Sequence, residues 1–291
     1  MNTEIYYFSG TGNSLYVARE LQKKIPNSSL IPIIRLLNKN INIKTNADLI
    51  GFVFPVHALT IPIAVKRFLK KADLSTAEYI FAIATRGSTF FRGFELIDRL
   101  LARKKKRLHA HFILTMGLND PKHKSYQSPD AGEIARLENI IQKKLNTIQD
   151  IVLNKRISRE KDTEYTVGFS CHPFINFLLE KTVLLGMSFS EYIGGVNYFY
   201  TDDKCTGCGI CEEICLAEKI KMKDKKPVWQ KNVFCYMCYA CINFCPTKAI
   251  QINSIPSVQS FTLTSGRYSH PYAKVKDIVI QKKEETGEIL K

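Results

Sequence analysis

The sequence lacks the features of an exported or membrane-spanning protein. Its most apolar stretch, residues 174–187, is interrupted by Glu180 and Lys181 and is shorter than the ~20 apolar residues that a spanning helix needs. The chain enters an apolar run already at residues 5–8, which leaves no room for the basic segment, apolar core and cleavage site of a signal peptide. We therefore expect a cytoplasmic protein without a membrane span.

Acidic side chains are in the minority. The chain has 27 Asp and Glu against 42 Lys and Arg, a formal net charge of +15, and its basic residues are densest at residues 103–107 and 219–231. The first cluster lacks the interleaved aromatic residues of a nucleic-acid module. A solvated face with favourable charge at a helix C-terminus, an acidic redox partner, and nucleic acid or anionic lipid all stay open. Of these partners we predict a redox protein, and no nucleic acid.

Cysteine is nearly absent outside one short block. Eight of the nine cysteines lie within residues 205–245, and the ninth is Cys171. Because the cytosol keeps thiols reduced, the block favours metal ligation over a disulfide scaffold. We expect Cys171, which stands beside an apolar segment, to be a buried structural thiol.

The cysteine block is an internal repeat, with one Cys-x-x-Cys-x-x-Cys-x-x-x-Cys motif displaced by thirty positions. Three closely spaced thiolates suit three corners of a cubane cluster, and in two-cluster ferredoxins the fourth cysteine ligates the other cluster. The predicted ligand sets are Cys205, Cys208, Cys211 and Cys245 for one 4Fe-4S cluster, and Cys235, Cys238, Cys241 and Cys215 for the other. A pair of zinc sites is the alternative, although zinc ribbons use two thiolates per knuckle and have no use for a third.

A Ser-Gly-Thr-Gly-Asn-Ser loop at residues 9–14 follows the first apolar run and leads into a helical pattern. Its backbone N–H groups, hydroxyls and helix N-terminus suit a phosphate. No lysine closes the loop as in a P-loop, and Leu15 stands in place of the third glycine of a dinucleotide fingerprint. The loop therefore predicts the phosphate site of FMN, and a turn without a ligand is the alternative. The predicted contacts are Ser9, Thr11, Gly12, Asn13 and Ser14.

Further loops at the carboxyl ends of the predicted strands should form the pocket of the flavin ring, because ligands of doubly wound sheets bind at that edge. For His57, a role as ligand or proton donor competes with simple ring packing. The predicted ring-site residues are Pro55, Val56, His57, Thr85, Arg86, Gly87, Ser88 and Asn119.

The N-terminal half alternates short apolar runs with helical patterns, which is typical of a parallel sheet covered by helices on both faces. The predicted strands are 4–8, 30–34, 49–54, 79–85 and 109–115, and the predicted helices are 13–24, 63–71, 94–104 and 130–153. This pattern suits an α/β, flavodoxin-like doubly wound sheet. The predicted divisions are 1–155 for that domain, 156–196 for a connecting helical segment, 197–255 for a small α+β dicluster ferredoxin-like domain and 256–291 for a C-terminal tail.

Together, the loop at residues 9–14, the Gly-Phe-Val-Phe-Pro-Val strand at 51–56 and the eight cysteines resemble the EFR-type family, in which a flavodoxin-like domain is fused to a C-terminal dicluster ferredoxin. The resemblance covers nearly the whole chain. It implies FMN and two 4Fe-4S clusters, and it implies no established substrate. The chain departs from the family at His57 and Arg86, where relatives more often carry an aromatic and a small or neutral residue.

These features predict intracellular electron transfer between two 4Fe-4S clusters and a bound FMN, with the cofactors supplying the redox chemistry. One alternative is a flavin-dependent reductase of a small substrate, fed by an external ferredoxin-type donor. Another is a zinc-stabilised binding module with a vestigial flavodoxin domain.

Overall fold

A computed structural model describes residues 2–38, 43–57, 59–124, 126–162, 178, 181, 182, 185, 198–254 and 259–283. Cys171 and most of the predicted connecting segment lie outside the described residues, as does the end of the predicted tail from residue 284. Within the described part of the chain, no helix combines the length and the apolar character needed to cross a membrane.

The N-terminal half forms a six-stranded parallel sheet in the order β2-β1-β3-β4-β5-β6. Its first strand lies inside the sheet, between β2 and β3, so the chain winds outward in both directions, and the predicted flavodoxin-like fold class is confirmed. β4 is buried at every position because helices cover both faces of the sheet. The strands are β1 Thr3–Tyr7, β2 Ser28–Pro32, β3 Leu49–Pro55, β4 Tyr79–Arg86, β5 Ala110–Thr115 and β6 Ser158–Arg159.

Five helices of this half flank the sheet and divide its apolar residues into two cores. Leu21 of the first helix and Ile148 of the last are fully buried in the core on one face, and Phe68 and Ile97 are buried in the core on the other. The helices are α1 Asn13–Lys24, α2 Ile33–Asn38, α3 Ile63–Lys71, α4 Gly93–Ala102 and α5 Ala131–Leu153.

Two details of the predicted sheet are wrong. The second strand ends at Pro32, and Ile33 and Ile34 begin α2 instead of continuing the strand. Both isoleucines are fully buried in the helix, so tertiary burial overrides their β-branched preference. The sheet also has a sixth strand, β6, which pairs with β5 just beyond position 155.

Residues 198–254 form a small α+β unit built from the two copies of the cysteine repeat. Its outer strands, β7 Phe199–Thr201 and β10 Ile250–Ile252, pair antiparallel, as do its inner strands, β8 Ile220–Lys223 and β9 Lys226–Trp229. A short helix carries the third cysteine of each motif: α6 Ile210–Ile214 in the first copy and α7 Ala240–Asn243 in the second.

After this unit the chain returns to the N-terminal half through residues 265–283, which we call the C-terminal strap. The strap carries the short helix α8 Val275–Val279, whose Ile278 and Val279 are buried in the core beside α3 and α4. The carboxyl edge of the sheet is therefore covered by residues from the end of the chain.

Candidate functional site

The two copies of the cysteine repeat adopt the same backbone conformation. Gly207 and Gly209 have left-handed φ angles of 72° and 79°, and Met237 and Tyr239, thirty positions later, have φ angles of 52° and 58°. This conformation costs an L residue about 1–2 kcal/mol, and it recurs although the second copy has no glycine at these positions. The backbone of each copy therefore curves in the same way between its first three cysteines.

Backbone amides point at the cysteine sulfurs of the repeat. The N–H of Lys219 donates to Cys215 Sγ at 3.3 Å, and the equivalent N–H of Ala249 donates to Cys245 Sγ at 3.2 Å. Such hydrogen bonds stabilise thiolate ligands and tune the cofactor that they hold.

Cysteines of both copies meet at one cavity, whose cysteines are Cys205, Cys208, Cys211 and Cys245. Burial raises the pKa of Cys211 to about 11, with smaller contributions from the neighbouring Cys208 and Cys245. Within the described residues, no three His, Cys, Asp or Glu side chains converge on a position suited to a single metal ion. The four cysteines instead surround a space between the two copies.

The other cysteines lie near one another, Cys215 buried and Cys235, Cys238 and Cys241 half-buried. Burial raises the pKa of Cys235 to about 11, with a smaller contribution from Cys215 of the first copy. Burial also raises the pKa of Cys238 and of Cys241, and for both thiols Cys215 adds to the effect. Iron cations would favour the thiolates that burial opposes, so the donor set fits a cluster whose fourth ligand comes from the other copy.

The loop at residues 9–14, the phosphate loop, lies between β1 and α1. Gly12 has a φ of 98° and precedes the first residue of α1. The predicted contact side chains, Ser9, Thr11, Asn13 and Ser14, are all buried. The described residues provide no hydrogen-bond acceptor for four of the loop's N–H groups, those of Gly10, Thr11, Asn13 and Ser14. Buried N–H groups without an acceptor at a helix N-terminus suit an anion such as a phosphate.

The structure brings part of the predicted ring site to this loop. Ser14 Oγ lies 2.8 Å from Thr85 Oγ1, and Asn119 Nδ2 donates to Thr11 Oγ1 at 2.6 Å. Val56, after β3, donates its N–H to the carbonyl of Thr85 at 2.8 Å. The carboxyl ends of β3, β4 and β5 thus meet at the phosphate loop.

His57 lies against Phe8, with 5.8 Å between the ring centroids. Burial lowers the pKa of His57 to about 4, opposed in part by a hydrogen bond with the backbone of Tyr236. The imidazole is therefore neutral at physiological pH and packs between the sheet and the second cysteine copy.

The other predicted ring-site residues lie in the loops after the strands. Gly87 faces Leu118 so closely that a Cβ would come within 2.5 Å of that side chain, and Ser88 is exposed. Pro55 ends β3.

Arg86 takes part in a buried ion pair. Its Nη1 lies 2.6 Å from Asp162 Oδ2, and the exposed fractions of the two side chains are 4% and 1%. Asp162 also accepts the N–H of Phe91 at 2.9 Å. The charge of Arg86 is therefore balanced inside the protein, and no local pattern pointed to this partner 76 positions away.

The phosphate loop is also covered by residues that the sequence did not suggest. A Cβ at Gly10 would lie 2.0 Å from the carbonyl oxygen of Cys238, so only glycine allows the second cysteine copy to approach the loop this closely. From the strap, Gln281 accepts the N–H of Ser9 at 3.0 Å and donates to its carbonyl at 2.8 Å. No local pattern marks these contacts, because the partners are more than 200 residues apart.

Comparison with protein families gives one match: residues 204–250 are similar to the 4Fe-4S dicluster domain. The predicted iron–sulfur domain is thereby confirmed, while membership of the EFR-type family stays a prediction. No curated protein matches the chain.

Several solved structures are distantly similar to the chain. A putative flavoprotein from Bacteroides uniformis ATCC 8492 is 16% identical over 39% of this chain and 90% of its own, with a TM-score of 0.30. An FMN-dependent NADH-azoreductase from Bacillus anthracis is 10% identical over 52% of this chain and 98% of its own, with a TM-score of 0.34. The rubredoxin oxygen:oxidoreductase of Desulfovibrio gigas is 14% identical over 53% of this chain and 36% of its own, with a TM-score of 0.33.

Proposed function

We propose that this protein transfers electrons between two 4Fe-4S clusters and an FMN held by the phosphate loop. The observation that carries the proposal is the contact of Cys238 with Gly10, which sets a cluster-binding loop directly on the flavin-binding loop. When bound, the clusters would exchange one electron each and the flavin one or two. The protein supplies the ligands, the spacing and the exclusion of water.

The proposed ligand sets cross between the two copies. Cys205, Cys208, Cys211 and Cys245 would hold the first cluster, and the cavity that these four line supports this set. Cys235, Cys238, Cys241 and Cys215 would hold the second, supported by the nearness of Cys215 to the other three thiols, whose pKa values it raises.

The phosphate of FMN would be held by the four phosphate-loop N–H groups that have no acceptor among the described residues. The hydroxyl groups of Ser9, Thr11 and Ser14 add polar contacts, and the N-terminus of α1 favours the negative charge. No basic side chain of the loop takes part. The ring would lie at the same edge of the sheet, near His57 and Thr85.

The two cluster sites differ in their distance from solvent and from flavin. Cys208 of the first copy is exposed, whereas Cys238 of the second contacts the phosphate loop. Electrons from outside would therefore reach the first cluster, pass to the second and continue to the flavin. Lys225 and Lys226 lie beside the first copy, at Gly207 and Cys205, and would suit an acidic redox protein as partner.

Anaerobic purification followed by iron, sulfide and flavin analysis tests the proposal. We expect about eight iron, about eight acid-labile sulfide and about one FMN per chain, because eight thiolates in this repeat ligate two cubanes. A limiting amount of a one-electron reductant should then reduce the clusters and after them the flavin, as seen by rapid-freeze paramagnetic resonance. Iron near four would contradict the two-cluster assignment, and cluster reduction without flavin reduction would contradict the relay.

A further inference from the structure

Asn243 lies in α7, between the proposed ligands Cys241 and Cys245, and its side chain is almost completely buried. Its Nδ2 donates to the carbonyl of Asn119 at 3.1 Å and to that of Tyr239 at 3.1 Å. Its Oδ1 accepts the N–H of Tyr268 at 3.0 Å. One amide thus joins the second cysteine copy to the loop after β5 and to the strap.

Asn119 and Tyr268 also form hydrogen bonds with side chains of the phosphate loop. Asn119 donates from Nδ2 to Thr11 Oγ1 at 2.6 Å, and the Tyr268 hydroxyl donates to Asn13 Oδ1 at 3.0 Å. Asn13 in turn donates to the carbonyl of Gly117 at 2.9 Å. Two short chains of buried hydrogen bonds therefore connect Asn243 with Thr11 and Asn13, whose backbone N–H groups suit an anion.

Among the described residues, the first copy makes no such side-chain hydrogen bond from the equivalent position, although it meets the strap elsewhere, where Lys282 Nζ donates to the carbonyl of Cys215 at 3.3 Å. The position equivalent to Asn243 is Glu213, thirty residues earlier between Cys211 and Cys215, and it is exposed to solvent. Since the backbone is shared by the two copies, the connection is a property of the Asn243 side chain and its neighbours, not of the cluster-binding motif.

We infer that Asn243 is a positioning residue that couples flavin binding to cluster binding. The inference rests on the proposed function. A bound second cluster fixes Cys241, which lies two residues before Asn243 in the same short helix, α7. Asn243 then orders the side chains of Thr11 and Asn13 before FMN arrives, so FMN binding loses less conformational entropy. By linkage, bound FMN must hold the second cluster more tightly by the same factor.

The affinity of the full chain for FMN tests the coupling. Cluster-loaded protein, freed of flavin under argon, is titrated with FMN, and binding is followed by the quenching of flavin fluorescence. We expect Asn243→Ala to raise the dissociation constant about tenfold, within the usual range of coupling between two sites. Glu213→Ala, at the equivalent position of the first copy, is the matched control and should leave the dissociation constant unchanged.

The reciprocal effect, that of FMN on the release of iron, distinguishes coupling from a merely structural role of Asn243, because a structural role would leave it unchanged. FMN should slow the release of iron to a chelator in the original chain and in Glu213→Ala, and it should not slow it in Asn243→Ala. If Asn243→Ala retains no clusters, Tyr268→Phe removes only the hydroxyl that reaches Asn13 and should show a smaller loss of the same kind.

Two results separate the failure of this inference from the failure of the proposed function. One result is that the original chain binds FMN and holds clusters, and that FMN slows iron release from Asn243→Ala and Tyr268→Phe as much as from the original chain. The coupling through Asn243 is then overturned, and the proposed function stands. If the original chain binds no FMN, both are overturned.

Discussion

The two copies of the cysteine repeat share a backbone and differ in what surrounds them. The left-handed residues, short helices and amide-to-sulfur hydrogen bonds recur thirty positions apart. The first copy presents Cys208 and Glu213 to solvent, whereas the second places Cys238 against Gly10 of the phosphate loop and Asn243 against the loop after β5. Ligation geometry is therefore set within the repeat, while solvent access and electronic environment are set by the neighbouring domain.

The largest expected effect comes from breaking one ligand set. Cys245→Ser should remove the cluster otherwise held by Cys205, Cys208 and Cys211, about half of the iron, because the fourth ligand crosses between copies. The remaining cluster would be the buried one, which should lose iron slowly to a chelator. Cys215→Ser is the matched variant and should leave the exposed cluster, which loses iron quickly; the opposite order of rates would reverse the ligand sets.

Acid should loosen the strap where His270 meets the phosphate loop, and it should leave the β8–β9 hairpin unchanged. His270 of the strap is 1% exposed, and burial lowers its pKa to about 4; its Nε2 lies 3.5 Å from Glu138. Because the folded protein favours neutral His270, its contribution is complete above pH 6.5 and is lost as the pH falls towards 4. The loss is up to about 3 kcal/mol, at about 1.4 kcal/mol per pKa unit.

Hydrogen exchange of the amides of His270 and Ala273, corrected for intrinsic rates, measures this loss. These amides donate to Thr11 and to His270, respectively. Exchange should accelerate between pH 6.5 and 5 at these positions and stay constant at the β8–β9 hairpin. His270→Gln should abolish the acceleration, and an unchanged pH dependence in this variant would assign it to another group.

Substitutions at Gly10 and Gly209 separate the effect of steric contact on stability from that of backbone strain. Gly10→Ala places a Cβ 2.0 Å from the Cys238 carbonyl oxygen, and the forced separation should destabilise the protein by about 2 kcal/mol. Gly209→Ala meets no atom within 4 Å and should cost only about 1 kcal/mol for its left-handed backbone. Anaerobic thermal unfolding should therefore show the larger fall for Gly10→Ala. Equal falls in the unfolding temperature would mean that the second copy can move away from residue 10 at little cost in stability.

The smallest effect is expected at the exposed surface of the first copy. Lys221 lies 3.3 Å from Glu212, with side chains 57% and 34% exposed. Lys221→Ala should leave the unfolding temperature nearly unchanged, because exposed ion pairs contribute little to stability, and it should leave FMN affinity unchanged. A loss of FMN affinity in this variant would show that the first copy is also connected to the phosphate loop.

The sequence predicted those features that repeat or alternate locally. The period of thirty predicted the dicluster domain that the family comparison confirms, and the alternation of apolar runs predicted β1 and β3 to β5. It did not predict α2, because Ile33 and Ile34 have the same β-branched character in a buried helix as in a strand.

Contacts between distant parts of the chain were not predictable. Asn243 and Glu213 occupy the same position of the repeat, and their difference alone does not reveal which one faces another domain. The ion pair of Arg86 with Asp162 depends in the same way on loop packing that no local pattern encodes. A polar residue in place of a charged one at an equivalent repeat position is the one signal that could have suggested a buried role for Asn243.

The contact between Ser9 and Gln281 also sets an order of events during synthesis. The two residues are 272 positions apart, so a ribosome releases the phosphate loop long before it adds the residue that closes over it. Until then β1 and α1 can fold with the loop open to small anions, because the first domain folds while the rest of the chain is still being made. FMN that binds at this stage meets no strap, whereas FMN that binds the finished chain must displace Gln281 or pass beside it. Nascent chains halted before residue 265 should therefore take up FMN faster than the completed protein.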